Sequence, residues 1–453
     1  MEIVQAIGIF AIFAVCVVLM MMRKLPTILA LPIMAVGIAL VAGIPFISAD
    51  AETFTVTKDV LEAGSMRMST AIAGLFFGGI FGKVLTKVGV TRTIIRKAAE
   101  LAGDKPLPIA LAFLVVCSLI FAASNGLGMV ILVGTIIIPI MISAGVSPMV
   151  AGAVLLFSNG IGVTFSVGTL GVYIDTLGLP LETVTAYSWM CGIPLMVIAV
   201  VWIVFYIKRG TKTRRAWAMP ASEPAAEKNV RAIALISPII PVVLVFAFSM
   251  PLVPSIVIGI VAALILATPK NPLQVVTGSV VEGLQDTAGA AALMIGIGMT
   301  LNAVMAPQVA TVLQPVISAV IPTSQVMFVL IFGLLSVLAI YRGPLNVWGL
   351  GSGIVALLAA SGMNPVAAMV ALRLDSNIQA VCDPQRLGVR LHQDRRQRVP
   401  EEDHPVDHGL HLRGPDRGQL LRGNLMYSFR LPGPEWDGRA DETAFPANFG
   451  GKQ

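Results

Sequence analysis

Residues 107–144 read LPIALAFLVVCSLIFAASNGLGMVILVGTIIIPIMISA, and residues 324–361 read SQVMFVLIFGLLSVLAIYRGPLNVWGLGSGIVALLAAS. Each is a long apolar stretch broken near its middle by a short knot, Ser124-Asn125-Gly126 in the first and Arg342-Gly343-Pro344 in the second. A membrane span needs roughly 20 apolar residues, so each stretch has the length for two crossings or for one re-entrant hairpin. Backbone interrupted at bilayer depth exposes N–H and C=O groups that lipid cannot satisfy, and it survives only where protein or a watery cavity surrounds it. The mid-run knots and short arms favour hairpins, and the fold follows from that reading.

Working outward, further spans fall at about 3–22, 25–47, 69–89, 148–178, 185–207, 232–250, 254–268 and 287–305. Composition agrees: 56% of the 453 residues are hydrophobic, 12% are charged, and the mean hydropathy is +0.86. A soluble domain carries about twice that charge. Segment 3–22 is too long for a signal-peptide core and reads as a retained first span. The net charge of +6 does not imply nucleic acid, because Lys and Arg fall in short clusters between apolar runs. The four cysteines, Cys16, Cys117, Cys191 and Cys382, lie far apart without metal-site spacing, and no metal is expected.

Charge places the termini of the spans. With the first break as a hairpin, Arg23, Lys24, Lys83, Lys87, Arg92, Arg96, Lys97, Lys105 and the basic run from Lys208 to Arg215 share one side, which the positive-inside rule makes cytoplasmic. Asp50, Glu52, Asp59, Glu62 and the turn around Glu182 fall opposite. Two full spans give the same parity, so charge alone does not decide between them. The linker Thr91–Asp104 alternates Ile94, Ile95, Ala98, Ala99 and Leu101 with Arg92, Arg96, Lys97 and Glu100, an amphipathic helix expected to lie in the cytoplasmic interface.

The two halves repeat at an offset of 217 residues. Thr70-Ala71-Ile72-Ala73 aligns with Thr287-Ala288-Gly289-Ala290, Gly79 with Gly296, Gly126 with Gly343, and Gly145-Val146-Ser147-Pro148 with Gly362-Met363-Asn364-Pro365. One residue of slip brings Ser158-Asn159 onto Ser376-Asn377. An odd number of crossings separates partner helices, so the repeats are expected to be inverted, the arrangement of alternating-access carriers. The expected fold is an all-α polytopic membrane protein of two inverted repeats, each with a re-entrant helical hairpin and a broken helix. Residues 1–207 form the first repeat, 208–231 a basic cytoplasmic loop, 232–385 an incomplete second repeat, and 386–453 an aberrant polar tail. The offset predicts a final span over residues 402–424, the most polar part of the chain, so a frameshift in the coding sequence is the expected cause of the tail. A natural disordered tail is the alternative.

Four breaks mark the candidate site: Ser124-Asn125-Gly126, Ser158-Asn159-Gly160-Ile161-Gly162, Arg342-Gly343-Pro344-Leu345-Asn346, and Ser376-Asn377 leading to Asp383-Pro384. Helix N-termini can hold a carboxylate, and unwound carbonyls with Ser, Asn or Asp oxygens can hold Na⁺. Each knot alone also reads as an ordinary turn. Substrate binding is expected at Ser124, Asn125, Gly126, Ser158, Asn159, Arg342, Gly343, Asn346, Ser376 and Asn377, with Asp375, Asp383 and Thr164 as candidates for ion coupling. Arg342, a cation in a long apolar stretch, is either a carboxylate ligand or a loop residue reaching the surface. Arg373 and Asp375 are expected to neutralise each other as a structural pair. Asp175 is a candidate carrier or a helix-end acid. No phosphate-binding loop, His-Glu-x-x-His or Gly-x-Ser-x-Gly occurs, so ATP-driven and hydrolase chemistry are not expected.

The stretch Gly78-Gly79-Ile80-Phe81-Gly82-Lys83 with its amphipathic linker, the Asn125-Gly126 hairpin, the Gly-Val-Ser-Pro helix and the late Asp383-Pro384 resemble the ion transporter superfamily, nearest its gluconate permease and citrate/dicarboxylate branches. The resemblance covers roughly residues 1–385. It implies elevator-like movement of hairpins and broken helices, a homodimer, and transport of a small organic anion across the cell inner membrane with H⁺ or Na⁺ as coupling ion and no other cofactor. A Na⁺/H⁺ antiporter of the same architecture and the large membrane subunit of a binding-protein-dependent carrier are the alternatives.

Overall fold

The computed structural model describes residues 2–22, 24–50, 52–103, 105–124, 126–209, 230–320, 324–336 and 363–382, with residues 351, 355, 358 and 359. Asn125, Arg342, Gly343, Asn346, Asp383, most of the basic loop and the tail from residue 386 lie outside them. Among the described residues the secondary structure is helical, without strands.

In chain order the helices are α1 (Glu2–Met21), α2 (Thr27–Val41), α3 (Ser69–Lys87), α4 (Val90–Ala102), α5 (Pro106–Ala123), α6 (Leu127–Ser143), α7 (Pro148–Phe165), α8 (Val167–Leu177) and α9 (Leu181–Arg209). They continue with α10 (Ile239–Phe248), α11 (Leu252–Ala267), α12 (Pro272–Val304), α13 (Pro307–Val320), α14 (Gln325–Leu335) and α15 (Pro365–Cys382). A π-helical segment, Val56–Ala63, leads into α3, and a 3-10 turn, Ala232–Ile236, precedes α10. Proline opens α5, α7 and α12, where its fixed φ suits the first turn and its missing N–H is no loss. Apolar side chains of α9 such as Val197, Ile198, Val201 and Phe205 are exposed, as a lipid-facing surface requires. Segments Val56–Lys87, Pro106–Ala123, Pro148–Phe165, Leu181–Arg209 and Pro272–Val304 are long and apolar enough to cross a membrane. The chain is an all-α polytopic membrane protein.

Three differences from the sequence reading have physical causes. The helix expected to break at residues 158–162 runs unbroken to Phe165 and breaks at Ser166, whose ψ of 119° is extended. Ser158 returns its hydroxyl to the helix, to Val154 O at 2.6 Å, and Thr164 Oγ1 lies 2.9 Å from Gly160 O. Gly162 serves packing, since a Cβ there would lie 2.8 Å from Ser118 O. The expected break at Ser376-Asn377 is likewise absent: α15 runs through it, and Ser376 Oγ donates to Leu372 O at 2.7 Å. The span expected at 287–305 begins at Pro272, because Glu282 and Asp286 are matched by Lys87 and Lys83, each at 2.7 Å.

Two packing relations position the site. First, Gly64 lies beside Met299, Gly79 beside Gly283 and Thr287, and Lys87 beside Gly278 and Glu282, so α3 and α12 run antiparallel. A Cβ at Gly79 would stand 2.7 Å from Thr287 Cγ2 and 3.0 Å from Gly283 O, so only glycine admits this approach. Second, Ser158 reaches Leu114 O and Gly162 reaches Ser118, so α5 and α7 run parallel. Gly145 after α6 returns to Pro106 at the start of α5, which makes α5 and α6 a helical hairpin with its tip at residues 124–126.

Two apolar cores result. Val150, Val154, Phe157, Ile161 and Phe165 of α7 pack with α5, α6 and part of α9. Val167, Leu170, Val172 and Tyr173 of α8 belong to a second core with α2, α3, α11 and α12. The boundary falls at Ser166.

Candidate functional site

The break at Ser166 is completed by a side chain. Thr169 Oγ1 lies 3.0 Å from Val163 O and 2.9 Å from Ser166 O, carbonyls that also accept the Ser166 and Thr169 N–H groups across the break. In register with the parallel α5, the break is level with the hairpin tip.

Around it lies a buried polar cluster. Thr164 Oγ1 lies 3.0 Å from the Asn377 side-chain amide, a hydrogen bond that joins α7 to α15. One turn before Asn377, Arg373 Nη2 donates to the backbone oxygen of the same Thr164 at 2.6 Å, and its guanidinium carbon stands 4.6 Å from the centre of the Tyr173 ring of α8. Thr164, Arg373, Ser376 and Asn377 are each buried. Among the described residues, Asn377 Nδ2, Arg373 Nε and Nη1, and both side-chain polar atoms of Asn159 have no hydrogen-bond partner. Burying a polar group without a partner costs roughly 1–3 kcal/mol on mutational scales.

Arg373 and Asp375 do not neutralise each other. Two residues apart on a helix they point to different sides, and no ion pair forms between them within 4.0 Å. Asp375 is buried, and its Oδ2 has no partner among the described residues. Asp175, a candidate carrier in the sequence, accepts the Ala71 N–H at 2.8 Å and so caps the N-terminus of α3 from a neighbouring helix.

Ser124 and Gly126 sit elsewhere. Ser124 ends α5, is 5% exposed and abuts Gly82 of α3. Gly126 has φ +151°, a conformation that favours glycine, and opens α6. Both line a cavity of about 240 Å³ with Lys83, Lys87, Glu282 and Asp286. The structure thus brings Thr164, Ser376 and Asn377 together, places Ser158 and Asn159 on the adjoining turns of α7, and puts Ser124 and Gly126 against α3 and α12. Tyr173 and Thr169 carry no sequence signal that distinguishes them from core residues; only the fold reveals them.

No protein-family model and no curated protein matches the chain. Among solved structures it is similar to the YdaH transporter of Alcanivorax borkumensis, a protein described as having an unusual topology. The TM-score is 0.56 at 12% identity, over 82% of this chain and 90% of that one. Likeness at this identity shows the fold: the chain is a multi-pass membrane protein with a transporter fold.

Proposed function

We propose that the protein is a secondary active transporter that carries small organic anions of the gluconate, citrate or dicarboxylate kind across the cell inner membrane, coupled to H⁺ or Na⁺. The observation that carries this reading is the interrupted helix at Ser166 beside buried polar groups that lack partners among the described residues. Within a bilayer such groups are tolerated where a solute or water completes them. Ser158, Asn159, Thr164, Ser376 and Asn377 bind the solute in this reading. Ser124, Asn125, Gly126, Arg342, Gly343 and Asn346 act at the hairpin tips. Asp375, with one carboxylate oxygen unpartnered, and Asp383 carry the coupling ion. The ion transporter superfamily, with its inverted repeats and homodimer, is the proposed affiliation.

The test is uptake of labelled gluconate, citrate and succinate into proteoliposomes containing the full chain, with a proton or a Na⁺ gradient imposed in turn. Saturable, gradient-dependent accumulation of one of them is expected. Na⁺-dependent proton flux with no organic solute moved would replace this reading with a cation/proton antiporter.

A further inference from the structure

We infer that Arg373 is the residue that takes hold of the transported anion, through its Nε and Nη1 groups, at the junction of α7, α8 and α15. The inference rests on the transport reading and adds to it the ligand at its charged end.

The chain places a guanidinium at 1% exposure. An ordinary buried arginine is matched by a carboxylate and has its donors filled, because a fixed charge in a low-dielectric interior is otherwise strongly disfavoured. Arg373 cannot shed its charge as a lysine could. Among the described residues no carboxylate lies within 4.0 Å of it, the nearby Asp375 included. What the protein does supply is positioning. The Thr164 carbonyl fixes Nη2, and the Tyr173 ring lies against the guanidinium at a distance suited to cation–π attraction. Thr164 also meets Asn377 beside it. These contacts orient the group while leaving Nε and Nη1 unmatched.

Asn377 adds a second function on the same helix face, four residues on. Its amide meets the Thr164 hydroxyl at 3.0 Å, and in either orientation of that amide at least one N–H is left without an acceptor among the described residues. A planar cation and a neutral amide donor, both unfilled and on one face, match a carboxylate flanked by a further acceptor, such as the oxygen of a hydroxyl group. The Thr164 side of the contact belongs to the α5–α7 core and Tyr173 to the other. An anion bound to Arg373 would therefore sit where the two cores meet, at the helix break.

A structural arginine and a ligand-binding arginine differ in what their removal does. The experiment compares wild type with Arg373→Met and Arg373→Lys as purified full-length protein, reading the melting temperature without solute and the affinity for labelled gluconate, citrate and succinate. Methionine is close in volume and removes the buried charge. The expected result is a melting temperature equal to or above wild type for Arg373→Met, with affinity for the bound anion reduced by about 100-fold or more, the scale set by charge-assisted hydrogen bonds. Arg373→Lys, which keeps charge but loses the planar fork, is expected to retain the fold and bind at least ~10-fold more weakly. The primary amide of the bound acid, which lacks the negative charge, is expected not to compete. A lowered melting temperature for Arg373→Met would make Arg373 structural and overturn the inference. So would undiminished affinity in that variant, with anion transport itself left standing. Wild-type protein that binds none of the three acids would instead remove the transport reading and this inference with it.

Discussion

Replacing Gly82 with alanine probes whether the hairpin tip is seated directly on α3. A Cβ at this position would overlap Ser124 Oγ, stand 2.5 Å from Ser124 Cβ and lie 3.2 Å from Met129 Cε. The methionine end can swing aside, but Ser124 Cβ is fixed to the tip backbone, so the tip itself must withdraw. Forcing one methyl into a packed interior costs ~1–3 kcal/mol, and alanine's better helix propensity returns up to ~1 kcal/mol. A net loss of about 1–2 kcal/mol follows from those two terms. Changing Ser124 to alanine relieves only the hydroxyl overlap and leaves the Cβ contact, whereas Ser124→Gly removes both. Gly82→Ala combined with Ser124→Gly should therefore recover most of the loss, and with Ser124→Ala only part of it. Thermal unfolding of the purified single and double variants in one detergent reads the coupling. If Gly82→Ala is as damaging with glycine at 124 as with serine, the tip does not rest on α3 and the reasoning fails.

Asp175→Ala removes the carboxylate that accepts the Ala71 N–H, and should lower stability by about 1–2 kcal/mol, with Asp175→Asn milder; the same melting assay checks both. Thr169→Val takes the hydroxyl from the carbonyls at the Ser166 break, and a loss of ~1–2 kcal/mol with slowed uptake is expected in vesicles. Asp375→Asn keeps the shape of a buried group whose Oδ2 has no partner. If Asp375 carries the coupling ion, this variant still exchanges solute across the membrane but no longer accumulates it against a gradient; unchanged accumulation would assign coupling elsewhere.

Spans were legible wherever apolar length alone decides them. The stretches read at 3–22, 69–89 and 185–207 correspond to α1, α3 and α9 within a few residues. Reading failed where a side chain's partner lies far along the chain. Glu282 and Asp286 look like the end of a span until Lys87 and Lys83 are seen opposite them. Ser-Asn-Gly at 158–160 has turn composition, yet the hydroxyl bonds back into the helix and the following glycine is consumed by close contact with α5. The actual interruption, Phe165-Ser166-Val167, carries no turn signature at all. Arg373 and Asp375 were close in sequence and opposite in sign, which suggested a pair; helical geometry directs them apart. Of the candidate site, the polar residues of α7 and α15 stood out by type, while the residues that orient them did not.

The glycine contact between α3 and α12 has a mechanical consequence. Where Gly79 faces Gly283 and Thr287, one backbone meets its neighbour with almost no side chain between them. Rods touching this closely cannot slide past each other without their ridges colliding, nor can they part without opening a void that nothing nearby could fill. Any rearrangement of the fold must then carry this pair as one body.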